Sequence, residues 1–166
     1  MSRNRWIGCV LALVLIFASS SAWAGGAVTV VSPVDYKADI LLSDAVRAEC
    51  ELPTKVPMYI KKFAEEKDFS VELANAGVGK KGRVLRVTIE DVLVGGWGSS
   101  KALTVAGELR ENGKLIGTIR ARRTSMGGPF GAFKGVCATL ARCASTLGKD
   151  LTEWLEAPAM DVVKTN

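Results

Sequence analysis

The chain contains no histidine. That removes Ser-His-Asp and Cys-His nucleophile pairs, imidazole general bases and every histidine-containing zinc or haem site. Constellations that work without imidazole are missing too. No Ser-x-x-Lys supports serine acylation, no Cys-x-x-Cys supports redox or zinc chemistry, and Gly79-Lys80-Lys81-Gly82 lacks the full phosphate-loop pattern. Glu90 and Asp91 are adjacent carboxylates, but neighbours on a strand point to opposite faces and would not flank one glycosidic bond. A strand reading makes Glu90 a solvated partner for an arginine and Asp91 the mark of a bulge. Cys137 and Cys143 are left as candidate nucleophiles. Their thiolates would need a lysine, an arginine or a helix N-terminus, and Cys137 lies nearer to such a terminus.

Two features could bind rather than react. The glycine-rich turn from Ser125 to Gly135, with Gly127 and Gly128, opens a helix and could offer backbone N–H groups to an anion. The plainer reading is a tight connection with Pro129 starting the helix. Arg86, Arg120 and Arg122, joined by Lys101 and Arg83, would form a basic sheet face for anionic lipid, lipopolysaccharide or an acidic protein. Glu90 and Glu108 fall on that face as well, which favours a solvated surface of cross-strand charge pairs.

The elements that must position these residues begin after a processing segment. Arg3 and Arg5, the apolar run Trp6 to Phe17 and Ala22-Trp23-Ala24 read as a cleaved signal peptide over residues 1–24. About 12 apolar residues fall short of the roughly 18 to 20 that span a bilayer. The expected product is exported, most simply bacterial and periplasmic, with no transmembrane span. Losing the two arginines lowers the formal net charge from +5 to +3, and nucleic acid is an unfavoured partner in that compartment.

The remaining chain shows no repeat and no linker, which predicts one domain over residues 37–157. Residues 25–36 would be an extended lead-in or edge strand because Pro33 follows Val28-Thr29-Val30-Val31, and residues 158–166 a flexible tail. Ala38 to Leu42 reads as a strand. Thr54 would cap a helix to about Lys67, with Val56, Ile60, Phe63 and Ala64 on one face and Pro57 in the first turn. Phe69 to Leu73 reads as a second strand joined to the first by a parallel crossover. A longer strand follows in which Leu85, Val87 and Ile89 alternate with Arg86, Thr88 and Glu90. In the next hairpin a three-residue loop, Glu111-Asn112-Gly113, sets Leu109 against Leu115 and Val105 against Ile119, whereas a two-residue turn would set Val105 against Arg120. That choice buries Leu103, Val105, Leu109, Leu115 and Ile119 and exposes Thr104, Glu108, Thr118, Arg120 and Arg122. Val136, Cys137, Leu140, Ala144, Leu147, Leu151, Trp154 and Leu155 mark a long amphipathic helix whose Leu140 is buried. The sum is an α+β two-layer sandwich: a mixed, mostly antiparallel sheet of about five strands with two helices on one face.

The strand Val84 to Val94, Gly98 to Lys101 leading into Leu103-Thr104-Val105, Asn112-Gly113-Lys114, Gly127-Gly128-Pro129-Phe130-Gly131 and the helix Leu147 to Leu155 together resemble a family of exported bacterial domains of unknown function. Its architecture is similar to the TolB N-terminal domain and to the curli-secretion protein CsgG. The resemblance covers about half the mature chain, implies the same sandwich and brings no catalytic residues. The family's usual lipid-attached cysteine is missing.

Three cysteines lie beyond the signal segment, and an oxidising compartment favours one disulfide. Cys137 and Cys143 would stand roughly 9 Å apart along a continuous helix, too far to pair. Counting strand directions makes the first and last helices antiparallel and so predicts Cys50 with Cys143, leaving Cys137 free. The function expected is a non-enzymatic envelope binding or accessory protein without cofactor or metal, its partner an envelope protein or an anionic envelope component. The alternative is a cysteine-dependent enzyme using Cys137 or Cys143.

Overall fold

The computed structural model describes residues 27–77, 81–96, 99–126 and 135–166. In chain order its elements are β1 (Val28–Val31), β2 (Asp35–Tyr36), α1 (Asp44–Glu49), α2 (Leu52–Glu65), β3 (Val71–Ala74), β4 (Arg83–Val94), β5 (Lys101–Glu111), β6 (Lys114–Ser125), α3 (Val136–Glu156) and β7 (Val162–Lys164). The strands form one sheet in the order β3-β1-β4-β5-β6-β7, with β2 pairing beside β1 on β4. The α+β class is as expected, but the sheet is mixed rather than mostly antiparallel. Only the β4–β5 and β5–β6 ladders are antiparallel, whereas β1–β3, β1–β4, β2–β4 and β6–β7 are parallel.

Val28-Thr29-Val30-Val31 is therefore an interior strand, not a lead-in or an edge. Val28 and Val30 are fully buried, and Pro33 falls beyond the ladder, so its missing N–H costs the sheet nothing. Ala38 to Leu42 forms no strand. The parallel crossover runs instead from β1 through α2 to β3. Helix α2 starts at Leu52, two residues earlier than Thr54, with Pro53 in its first turn and Pro57 inside it. An interior proline removes the N–H that would reach the carbonyl four residues back. Here that carbonyl, on Pro53, accepts the Val34 N–H at 3.0 Å, and the helix continues.

The β5–β6 hairpin turns on two residues, not three. Asn112 at φ 50° and Gly113 at φ 85° are both left-handed, as a type I′ turn requires. Glu111 pairs with Lys114 and Arg110 with Leu115; a register shift then sets Leu109 opposite Gly117, Gly107 opposite Ile119 and Val105 opposite Ala121. The expected partners are thus displaced by two positions. Because side chains alternate with period two, that displacement leaves each residue on its expected face. Leu103, Val105, Leu109, Ile119 and Leu140 are buried under the helices, Leu115 is half-buried, and Glu108 and Arg120 are exposed. Thr118 and Arg122 are half-buried, and Thr104 is buried against expectation.

Residues after Pro158, expected to fray, pair as β7 in parallel with β6, Ile119 opposite Val162 and Ala121 opposite Lys164. The sheet thus carries a β-α-β crossover at each end, β1-α2-β3 and β6-α3-β7, flanking the antiparallel β4, β5 and β6. Two antiparallel steps leave β6 running with β1, so α2 and α3 run parallel. The middle of α2 touches the later turns of α3 where Thr152 Oγ1 donates to the Ile60 carbonyl at 3.2 Å, and the C-terminal ends are joined by Lys67 and Glu156 at 2.9 Å. No helix among the described residues is long and apolar enough to cross a membrane.

Candidate functional site

The helices cover one face of the sheet, and the arginines singled out in the sequence lie on the other. There the β4–β5 register shifts between Ile89 and Asp91, leaving Glu90 as the extra residue. A bulge re-aims the chain, and its effect here is chemical: Glu90 and Asp91, adjacent in sequence, both reach arginines of β6. Glu90 accepts from Arg120 Nε, and Asp91 accepts from Arg122 Nη1 at 3.2 Å. The expectation that these two carboxylates must diverge is overturned by the bulge; Glu90 is an arginine partner as expected, but it is also the bulged residue, and Asp91, expected to mark the bulge, is back in register and binds a second arginine.

Both ion pairs step over β5, which lies between their strands. Ala106 stands opposite Arg120 and Thr104 opposite Arg122, and short side chains at these positions leave room for the charged groups to meet above them. The Asp91–Arg122 pair roofs Thr104, which explains the burial of that residue. Its hydroxyl has no hydrogen-bond partner. Hydrogen bonding and the charge of Glu90 hold Arg120 more firmly protonated than a free guanidinium. Arg110 reaches Glu108 at 3.1 Å, and Arg86 faces Glu108 across the β4–β5 ladder.

The two other basic residues leave the face. Lys101 is buried and donates to the Gly96 and Ser99 carbonyls at 3.0 and 2.9 Å. Arg83 donates to the Leu155 carbonyl at 3.3 Å, at the end of α3. The face therefore is not a basic patch: Arg86, Arg120 and Arg122 are matched by Glu90, Asp91 and Glu108. Gly127 and Gly128 lie outside the described residues.

A cleft of about 340 Å³ opens on this face between β5, β6 and β7. Ala106 and Val163 supply apolar side chains, Ile119 and Val162 border the cleft while their side chains pack on the core side, and Glu90, Glu108, Arg120 and Asp161 supply charge. Asp161 holds a left-handed φ of 55°, and its carboxylate accepts from the Thr118 hydroxyl at 3.2 Å while that oxygen accepts the Asp161 N–H at 2.7 Å. This reciprocal pair seats the start of β7 beside the cleft. Val163, projecting past it, is 69% exposed.

The sulfurs lie at the opposite side of the molecule. Cys50 bonds Cys137, not Cys143, with Cα atoms 4.7 Å apart. The expected partner was wrong because β4 runs in the same direction as β3, which makes α2 and α3 parallel and brings their N-terminal ends together. Cys143 is free and buried, desolvation raises its thiol pKa, and its Sγ points to the Lys101 carbonyl at 3.8 Å. Neither candidate nucleophile is thus an accessible thiolate.

Two turns along α3 from Cys143, Asp150 receives a bidentate bond from Arg123, 2.7 Å from Nε and 2.8 Å from Nη2. Lys164 donates to Glu153 at 3.1 Å nearby. The sequence carried a signal for this pair. Asp150 stands three residues after Leu147 and four before Trp154, on the apolar stripe of α3, and Arg123 follows Ile119 and Ala121 onto the buried face of β6. A charge in each of two facing apolar rows calls for a partner. Among the described residues, no three Cys, Asp or Glu side chains gather as metal ligands.

Comparison with known proteins bears on the fold. No family model matches the chain, and no curated protein matches it. Among solved structures, an uncharacterized protein superposes with a TM-score of 0.54 at 11% identity, covering 78% of this chain and 91% of the other. A PelC dodecamer from Paraburkholderia phytofirmans gives 0.48 at 19%, covering 79% and 89%. A minor lipoprotein from Acinetobacter baumannii gives 0.45 at 15%, covering 79% and 90%. At these identities the likeness is one of fold alone, and it does not single out the TolB or CsgG domains.

Proposed function

We propose that this chain is a non-enzymatic binding or accessory protein of the bacterial envelope that engages a partner protein through the open face of its sheet. The contrast between the two sheet faces carries this reading. Helices α2 and α3 bury one; on the other, charged pairs hold a regular surface around an open cleft with an apolar floor, the arrangement expected of a recognition surface. The signal-like segment at residues 1–24 and the Cys50–Cys137 disulfide support an oxidising, extracytoplasmic compartment.

Of the two partner classes the sequence suggested, the ion pairs favour a protein over an anionic envelope component. Arg110, Arg120 and Arg122 are paired with carboxylates and Arg86 stands opposite Glu108, so little uncompensated positive charge is left for lipid or lipopolysaccharide. The rival reading as a cysteine enzyme loses support with Cys137 in a disulfide and Cys143 buried and protonated.

Photo-crosslinking in cells tests the proposal. A benzoylphenylalanine at Thr118 should give a discrete adduct with an envelope protein, and the same group at Lys62, on the helix-covered side, should not. Adducts only from Lys62, or from neither position, would overturn it.

A further inference from the structure

We infer that the cleft between β5, β6 and β7 receives a cationic side chain, a lysine or an arginine, presented by the partner protein; this rests on the reading of the open face as a recognition surface. The argument is the charge around the cavity. Three carboxylates line it, from Glu90, Glu108 and Asp161, against one guanidinium, that of Arg120. Arg120 is committed to Glu90, so the negative charge at the rim is that of Asp161, which no guanidinium or ammonium among the described residues meets, and of Glu108, which shares an exposed pair with Arg110. The groups that could neutralise them are few. Asp161 is satisfied by a neutral hydroxyl. Glu108 meets Arg110 at 3.1 Å, a contact between side chains 43% and 52% exposed, and faces Arg86 across the ladder. Neither Arg86 nor Arg110 lines the cleft, so an entering cation would share Glu108 with them and reach Asp161 without competition.

The floor suits the stem of such a side chain. Ala106 and Val163 of β7 present apolar side chains to the cleft, and Gly107, Ile119 and Val162 border it, so the methylenes of lysine or arginine can lie there while the charged head stays at the wet rim. A volume near 340 Å³ accommodates one such chain. An acidic occupant would bring like charge to Asp161 and Glu108 and a purely apolar one would desolvate them, which disfavours both.

The probes are two blocked tetrapeptides, Lys-Leu-Lys-Leu and Glu-Leu-Glu-Leu, titrated into the mature protein and followed by amide NMR shifts. The basic peptide should move the Thr118, Arg120 and Val163 amides, and more strongly at low ionic strength. The double variant E108Q/D161N should bind it about tenfold more weakly, given two partly exposed charge contacts. Glutamine and asparagine keep the shapes, and asparagine tolerates the left-handed backbone of Asp161. Shifts unaffected by the double substitution, or no shifts at these amides, would overturn the inference. Binding of the acidic peptide there instead would overturn it while leaving the recognition surface standing. If the Thr118 crosslink is absent as well, the broader proposal falls too.

Discussion

Gly148 lies where α3 presses hardest on α2: a Cβ built there would stand 2.6 Å from Tyr59 Cβ and 2.9 Å from the Tyr59 carbonyl carbon. Backbone on one side cannot swing away, so G148A must separate the helices. The expected loss is about 1 to 3 kcal/mol, read as a lower urea midpoint, whereas G135A, with open space around its Cβ, should leave the midpoint nearly unchanged. Cys143 offers a second check at this scale. A thiol that is 1% exposed and raised in pKa by burial should resist iodoacetamide at neutral pH and react only once denaturant opens the core; rapid labelling of the folded protein would revive the cysteine-enzyme reading. At the residue scale much was legible, because Asp91 on an apolar strand signals a bulge, which falls one residue earlier, at Glu90. What the pattern left out was the consequence, since alternation describes a regular strand and a bulge suspends it for one residue.

At the scale of elements, β7 shows where periodicity fails. Three residues, Val162–Lys164, are too few to display alternation, and the strand is fixed instead by side-chain contacts to β6 and α3. Thr118 meets Asp161, the Trp154 indole N–H donates to the Ala159 carbonyl at 3.2 Å, and Lys164 reaches Glu153. The last of these predicts a pH dependence. The Lys164 hydrogen bond holds the Glu153 carboxyl below its ordinary 4.5, so the contact is fully present above that value and is lost as pH falls through the lower, folded one. The protection of the β7 amides, the factor by which they exchange more slowly than an unstructured chain at the same pH, should fall over that acid range, and K164M should lower it already at neutral pH. An unchanged exchange profile in K164M would mean that the other two contacts hold the strand alone. The first strand is missed for a different reason: Pro33 demotes Val28 to Val31 by pattern, yet the ladder ends at Val31, so the proline never has to contribute a donor.

On the scale of the whole molecule, one direction determined how much could be read. The amphipathic faces of α2 and α3, the strand β4 and the Asn112-Gly113 turn follow from local pattern, and local pattern places the helices on one sheet face. It does not say whether the chain between Ala74 and Arg83 reverses or returns. Val28 pairs with both Val71 and Arg83, so the chain returns to the level where β3 began and β4 runs with β3. Every later element is thereby inverted relative to the hairpin count, and Cys50 meets the first turn of α3 instead of its middle. Parallel helices also explain why a disulfide is useful at this end. The C-terminal ends are joined by Lys67 and Glu156, an exposed ion pair of small worth, while the Cys50–Cys137 bond ties the N-terminal ends across a sequence separation of 87. Closing so long a loop restricts the unfolded chain and stabilises the fold by up to about 4 kcal/mol in the chain-entropy model. The double variant C50A/C137A should therefore lose about 2 to 4 kcal/mol of unfolding free energy, while C143A, which removes a buried thiol and no crosslink, should lose less and keep the Cys50–Cys137 peptide in a non-reducing digest. Recovery of a Cys50–Cys143 peptide from the unmodified protein would place α2 and α3 antiparallel and return the fold to the hairpin count.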